Sequence, residues 1–193
     1  MTERARGPSA TFDVVFICTG NQARSALAAA LLTPLVAGLD VSVRSRGTQG
    51  GGDPALPFAI AAAESVGIDL GSHRSVPLAP GELSGSDLVI GFEPYHIAAG
   101  VVDGQAVRGR TFLLRELVDL VAAVPLAAAN GTHARARENV EALSSWRPGG
   151  PPDKAFVTPD PAGRKMGVFH QLVHELDHAA RIVAEAIFVG EGR

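Results

Sequence analysis

The sequence predicts a single α/β domain built on a parallel sheet. Three observations predict it. Runs rich in β-branched and aromatic residues alternate with stretches of helical apolar spacing. The chain has 193 residues, which is one domain's worth. No internal repeat and no clear linker divides it. Strands that alternate with helices must run parallel, with the helices packed on the faces of the sheet.

The elements follow in order. Met1 to Ala10 reads as a flexible tail ahead of a domain over 11–190. Phe12–Cys18 is apolar throughout except for Asp13, as a buried parallel strand requires. Gly20 and Asn21 form a turn, and the Ala/Leu-rich stretch Arg24–Leu35 is a helix. Asp40–Ser45 fits a second strand, followed by a glycine-rich loop over Gly47–Gly52. A helix over 54–66 stops at Gly67, and Asp87–Gly91 is a short apolar strand. Further helices fit 94–102, 113–122 and 132–145, with Pro125 breaking the apolar run Leu117–Ala129. A Pro/Gly-rich stretch from Arg147 to Pro161 is a long loop, the kind that in a compact domain is usually either functional or disordered. The last helix spans Arg164–Val189, with Phe169, Leu172, Val173, Leu176, Ala180, Val183 and Ile187 on one face.

Composition narrows the function. Apolar residues make up 46% of the chain, enough for one sizeable core. Seventeen basic against twenty acidic residues argue against a nucleic-acid binder that works by bulk charge. A single cysteine excludes an intrachain disulfide framework and a multi-cysteine zinc site. No stretch has the purity of a membrane span, and the N-terminus makes a poor signal peptide, so the expectation is a cytoplasmic protein.

The chemistry sits in Cys18-Thr19-Gly20-Asn21-Gln22-Ala23-Arg24-Ser25, between the first strand and the first helix. Ligands of open α/β sheets bind at the carboxyl ends of the strands. The amides that open the next helix carry partial positive charge and suit a phosphate. Gly20 and Asn21 tolerate the backbone angles of such a cradle, and Arg24 can hold two oxygens at once. Cys18 lies at its base, where the same amides and Arg24 favour a thiolate and Ser25 can donate to the sulfur. A thiolate beneath a phosphoryl group is an in-line nucleophile. A lone cysteine is otherwise a common core residue.

With these residues, the chain resembles the low-molecular-weight protein-tyrosine phosphatase family, which includes related arsenate reductases. Besides the cysteine loop, the resemblance rests on Ser45-Arg-Gly-Thr48, Gly67-Ile-Asp69 with His73-Arg74-Ser75, Ser86-Asp87-Leu-Val-Ile90, and Asp160-Pro161. It implies a flavodoxin-like (Rossmann-like) three-layer domain with a mostly parallel four-stranded sheet. It also implies a phosphate monoester hydrolase with a cysteinyl-phosphate intermediate and no cofactor or metal. Its partner would be a phosphorylated substrate, with protein phosphotyrosine first. Cys18 would be the nucleophile and Arg24 the phosphate clamp. Asp160 would be the general acid, with Asp53 and Asp153 as rivals. The phosphate would lie on Thr19, Gly20, Asn21, Gln22, Ala23, Arg24 and Ser25. Asn21, Ser25, Ser45 and His73 would brace the loop.

The match has gaps. Ala23 stands where the family usually has a second cysteine, and Ala26 where it has proline. Ala162 replaces an aromatic after Asp-Pro, and Gln22 replaces an apolar wall. A phenol ring needs apolar or aromatic walls, so phosphate chemistry is better supported than tyrosine specificity. Two alternatives remain: an arsenate reductase using an external low-molecular-weight thiol, and a non-catalytic phosphate-binding module. His174-Glu-Leu-Asp-His178, with His170 one turn earlier, matches a zinc-protease spacing. It reads better as the solvated flank of an amphipathic helix. His96, His133, Arg135 and Arg137 are expected at the surface.

Overall fold

The computed structural model describes residues 11–150 and 152–190; the expected tail, Met1 to Ala10, lies outside them. Four strands, β1 (Phe12–Cys18), β2 (Val41–Gly47), β3 (Leu88–Gly91) and β4 (Thr111–Leu113), form one sheet in the order β2-β1-β3-β4. Every pairing is parallel, with Cys18 opposite Gly47 and Ile17 opposite Gly91. Among the described residues, six α-helices surround it: α1 (Arg24–Leu35), α2 (Pro57–Glu64), α3 (Pro94–Val102), α4 (Leu114–Ala123), α5 (His133–Trp146) and α6 (Met166–Ala184).

The strand β1 is central, which is why its sequence is nearly all apolar. Phe12, Val14 and Phe16 join the larger core with Leu27 and Leu31 of α1 and Val173, Leu176 and Val183 of α6. Val15 and Ile17 point the other way, onto Leu83, Val89 and Ala106. Helices on both faces make three layers, the expected architecture. The edge strand β2 sends Val41 and Val43 to the larger core. On the opposite face, Arg44 takes the Asp13 carboxylate bidentately at 2.9 and 2.7 Å. That explains the polar Asp13 in an otherwise apolar strand.

Three expectations shift. The helix α2 begins at Pro57 rather than 54, because Pro54 is spent on an isolated antiparallel bridge to Arg74. The strand β4 had no sequence signal: Thr-Phe-Leu is too short to show alternation and runs straight into α4. Arg137 is no free surface cation. Its guanidinium holds Asp87 at 2.7 Å and lies over the Phe12 ring. Arg135 does stay near the surface, paired with Glu138 on α5.

Both ends of the stretch between α5 and α6 are tied to the body of the domain. Arg147 stacks on Phe112 with its guanidinium carbon 3.9 Å from the ring centroid, and it pairs with Glu116. Arg115 is bidentate to Glu175 and donates to the Val157 carbonyl at 2.7 Å. The Thr158 amide donates to the Phe92 carbonyl at 2.9 Å. Those ties deliver Asp160 to the carboxyl ends of β1 and β3. Beyond it, α6 buries its predicted stripe from Phe169 to Val183, and Ile187 follows on a wider π turn over Glu185–Val189. No helix among the described residues is long and apolar enough to cross a membrane.

Candidate active site

The chain leaves β1 at Cys18 and enters α1 at Arg24, and the turn between them is held from outside. The carbonyls of Cys18 and Thr19 accept from the amides of Thr48 and Gln49 at 2.9 Å each. The Gln22 carbonyl accepts from the Leu56 amide at 2.9 Å. The Asn21 carbonyl lies 2.6 Å from His73 Nε2, which must therefore carry the proton and donate. Tying the carbonyls outward suits an anion-binding concavity, which needs amides on its inner side. The Asn21 amide lies inside, 3.2 Å from Cys18 Sγ.

Asn21 makes the turn possible. Its φ of 51° lies in the left-handed region, which asparagine tolerates better than most residues. Its side chain donates to Ser25 Oγ at 2.9 Å and Ser45 Oγ at 2.8 Å, and it accepts from the Val76 amide at 2.9 Å. Ser25 Oγ in turn lies 3.0 Å from Cys18 Sγ. The four bracing residues implied by the resemblance thus meet in one network. Gly47 lets β2 pass close beside it: a Cβ there would fall 3.0 Å from both the Thr19 and Gln49 carbonyls.

Arg24 is 1% exposed although it carries a full charge. Burial of a guanidinium demands partners on every side, and it has them. One terminal nitrogen donates to Glu93 and to the Thr158 carbonyl at 3.1 Å. The other donates to Asp160 Oδ2 at 2.7 Å. The Phe92 ring lies beneath, 5.9 Å away. Asp160 is held by the Ala162 amide at 3.0 Å, yet its side chain is 44% exposed. Asp160 is the aspartate bonded to Arg24. Asp153 instead caps the short helical turn over Lys154–Phe156, and Asp53 is exposed beside Ser75.

His96 overturns its expected surface placement: it is 0% exposed. Its Nδ1 accepts the amides of Phe92 and Glu93 at 3.3 and 3.1 Å. The proton therefore sits on Nε2, which donates to Thr19 Oγ1 at 3.1 Å. Burial, reinforced by the positive charge of Arg24, pushes its pKa down to about 4; Glu93 and Asp160 oppose the shift. The unfolded imidazole takes up a proton near pH 6.5, before the folded one does. The resulting stability is fully present above pH 6.5 and is lost as pH falls toward 4, a change of about 3 kcal/mol. Urea unfolding at pH 7 and pH 4.5 is expected to show most of that loss in the wild type and little of it in a His96→Asn variant.

Glu93 was not among the residues singled out from sequence, and His96 was expected at the surface. A signal existed for Glu93, because it follows β3 at the carboxyl edge of the sheet, where ligands bind. None existed for His96, whose burial depends on α3 packing over the end of β3. Tyr95, 50% exposed, stands beside it with ring centroids 5.7 Å apart. Gln22 is partly exposed and Ala162 exposed, so neither supplies an aromatic wall.

Other features lie apart from this cluster. A cavity of about 1160 Å³ lies toward the amino ends of the strands among Asp13, Arg44, Glu82 and Asp87. Asp13, Arg44, Glu82 and Asp87 there are paired with one another or with Arg137. Among the described residues, no three His, Cys, Asp or Glu side chains gather as a metal-ligand group; His174 and His178 are exposed on α6.

The sequence profile of the low molecular weight phosphotyrosine protein phosphatases matches residues 13–124. The chain belongs to this family. The matched stretch contains Cys18, Arg24, Ser45, His73 and Glu93 and ends before Asp160. A protein-arginine-phosphatase of Bacillus subtilis (strain 168) is 34% identical over 109 residues, 55% of this chain and 72% of that protein. A solved structure of YwlE arginine phosphatase, a cysteine-to-serine mutant with a phosphorylated active-site serine, superposes with a TM-score of 0.64 at 26% identity. It covers 90% of this chain and 93% of that one. The Erwinia amylovora tyrosine phosphatase AmsI superposes with a TM-score of 0.67 at 20% identity, over 92% and 93% of the two chains, and shares the fold. Like its relatives in the low molecular weight phosphatase family, this protein is a cysteine-dependent phosphatase, and phosphorylated protein is the substrate class that the family implies.

Proposed function

We propose that the protein removes phosphoryl groups from protein side chains through a cysteinyl-phosphate, with phosphoarginine as its preferred substrate. The observation that carries the chemistry is the Cys18 sulfur, which faces the Asn21 amide and Ser25 Oγ in a loop shared with Arg24, itself bonded to Asp160. The incoming phosphoryl displaces Asp160 from Arg24 and lies on the loop amides from Thr19 to Ser25. Cys18 Sγ bonds to phosphorus as the bond to the leaving atom breaks, and that atom takes the electron pair and a proton from Asp160. In the second step, Asp160 takes a proton from water, the water oxygen bonds to phosphorus, and the thiolate leaves. Once Asp160 has been displaced, the buried Arg24 and the amides stabilise the transferring group.

Two features favour phosphoarginine over the phosphotyrosine expected at first. The B. subtilis relative is named for arginine. The pocket walls are also polar or small at Gln22 and Ala162, which suits a hydrogen-bonding guanidinium better than a phenol ring. The site lies in a protein we assign to the cytoplasm.

The test is turnover, without added metal, of matched peptides bearing phosphoarginine or phosphotyrosine. The expected result is a kcat/KM at least about tenfold higher for phosphoarginine, the worth of one well-placed hydrogen-bonding group. A preference for phosphotyrosine would reverse the substrate assignment. No turnover of either by the reduced protein, with arsenate consumed in the presence of a small thiol, would favour the reductase alternative.

A further inference from the structure

Glu93 is a charged group at the cradle with no role in the proposed two-step reaction. It stands two residues beyond β3, and its carboxylate is bonded to the guanidinium nitrogen of Arg24 that Asp160 does not use. The pair reaches from the interior to the rim: Arg24 is 1% exposed, whereas the Glu93 side chain is 35% exposed. The Glu93 backbone amide is held by the buried His96, and the carboxylate by its bond to Arg24, so the group is preorganised.

We propose that Glu93 is a specificity-determining residue. Its carboxylate, next to the proton-donating Asp160, accepts hydrogen bonds from a guanidinium leaving group and so selects phosphorylated arginine over phosphorylated tyrosine. This rests on the phosphoarginine reading above.

Charge is the first argument. With Asp160 displaced and carrying the proton it will donate, Arg24 still faces the Glu93 carboxylate, and a bound phosphoryl dianion adds further negative charge. A substrate that brings its own cation relieves the excess, and a neutral phenol does not. Hydrogen bonding is the second. A planar guanidinium offers several N–H donors in the fork that a carboxylate matches. A phenyl ring offers none, and would leave Glu93 partly desolvated against carbon. The same carboxylate therefore attracts one substrate and penalises the other, the two halves of a specificity device.

The experiment compares wild type with Glu93→Gln on matched phosphoarginine and phosphotyrosine peptides, with inorganic phosphate as a competitive inhibitor. The ratio of the two kcat/KM values is expected to fall about tenfold or more in the variant, the size of one charge-assisted hydrogen bond. Phosphate should inhibit as tightly as before or more tightly, since a competing carboxylate on Arg24 has lost its charge. Glu93→Asp keeps the charge and should retain more of the ratio than Glu93→Gln. Equal losses on both peptides, weaker phosphate inhibition, or the reverse order of the two variants would show that Glu93 acts only by holding Arg24, and would overturn the proposal. A wild-type protein that fails on phosphoarginine would overturn the substrate reading and this proposal together. Wild-type turnover of phosphoarginine with an unchanged ratio in the variants would overturn this proposal alone.

Discussion

Replacing Cys18 by serine is expected to lower turnover of an aryl phosphate by about 10⁴-fold or more, the scale seen when a covalent nucleophile is lost. The cause is local. The Asn21 amide and Ser25 Oγ sit at sulfur distances, 3.2 and 3.0 Å from Sγ. A serine oxygen on a shorter bond would sit farther from both. It would also have to lose a proton far harder to remove than that of a thiol. The phosphate cradle should survive, because its braces run through Asn21, Ser45, His73 and Val76 rather than through the sulfur. Inorganic phosphate should therefore still bind within a few-fold of wild type. Intact-mass measurement after incubation with substrate adds a second readout. Slow attack by the serine would leave one phosphoryl group on the protein. Steady-state turnover within tenfold of wild type would remove Cys18 from the nucleophile's role.

Replacing Asp160 by alanine should slow turnover by about 10²–10⁴-fold, the usual contribution of a positioned acid. The loss should be larger for substrates with poor leaving groups, because these need the proton most. Phosphate binding should move the opposite way. In the unliganded site Asp160 occupies Arg24 at 2.7 Å, and a bound phosphoryl must displace it. Without that competitor, phosphate inhibition should tighten. A structural role alone predicts the reverse, weaker binding together with slower turnover. Asp53→Ala and Asp153→Ala serve as comparisons, since neither residue is bonded to Arg24; losses there as large as that of Asp160→Ala would reassign the acid.

Much of the site was legible because it is local. Cys18, Asn21, Arg24 and Ser25 lie within one turn of chain, between an apolar strand and a helix. Strand–loop–helix geometry brings such residues together whatever the rest of the fold does. Asp160 was legible only through the resemblance, since its partner Arg24 is 136 residues away. Glu93 and His96 were not legible. Both belong to a segment whose importance arises when β3 pairs with β1 and carries the next helix over the loop. An isolated histidine just after a Glu-Pro turn, with no partner nearby in sequence, reads as solvated. Only the packed fold turns it into a 0% exposed, neutral hydrogen-bond hub.

The sequence by itself determined the alternation of strands and helices, the apolar stripe of α6 and the phosphate loop. Each of these depends on spacing along a few neighbouring residues. Tertiary structure alone decided that Thr111–Leu113 is a strand, because three residues become one only through an edge to pair with. It likewise decided how Arg24 is held. A buried guanidinium must find its partners wherever the fold places them, and here they come from the end of β3 and from the loop before α6. Those long-range partners surround the cradle opening, and so the character of the rim, unlike that of the loop, was set by the fold.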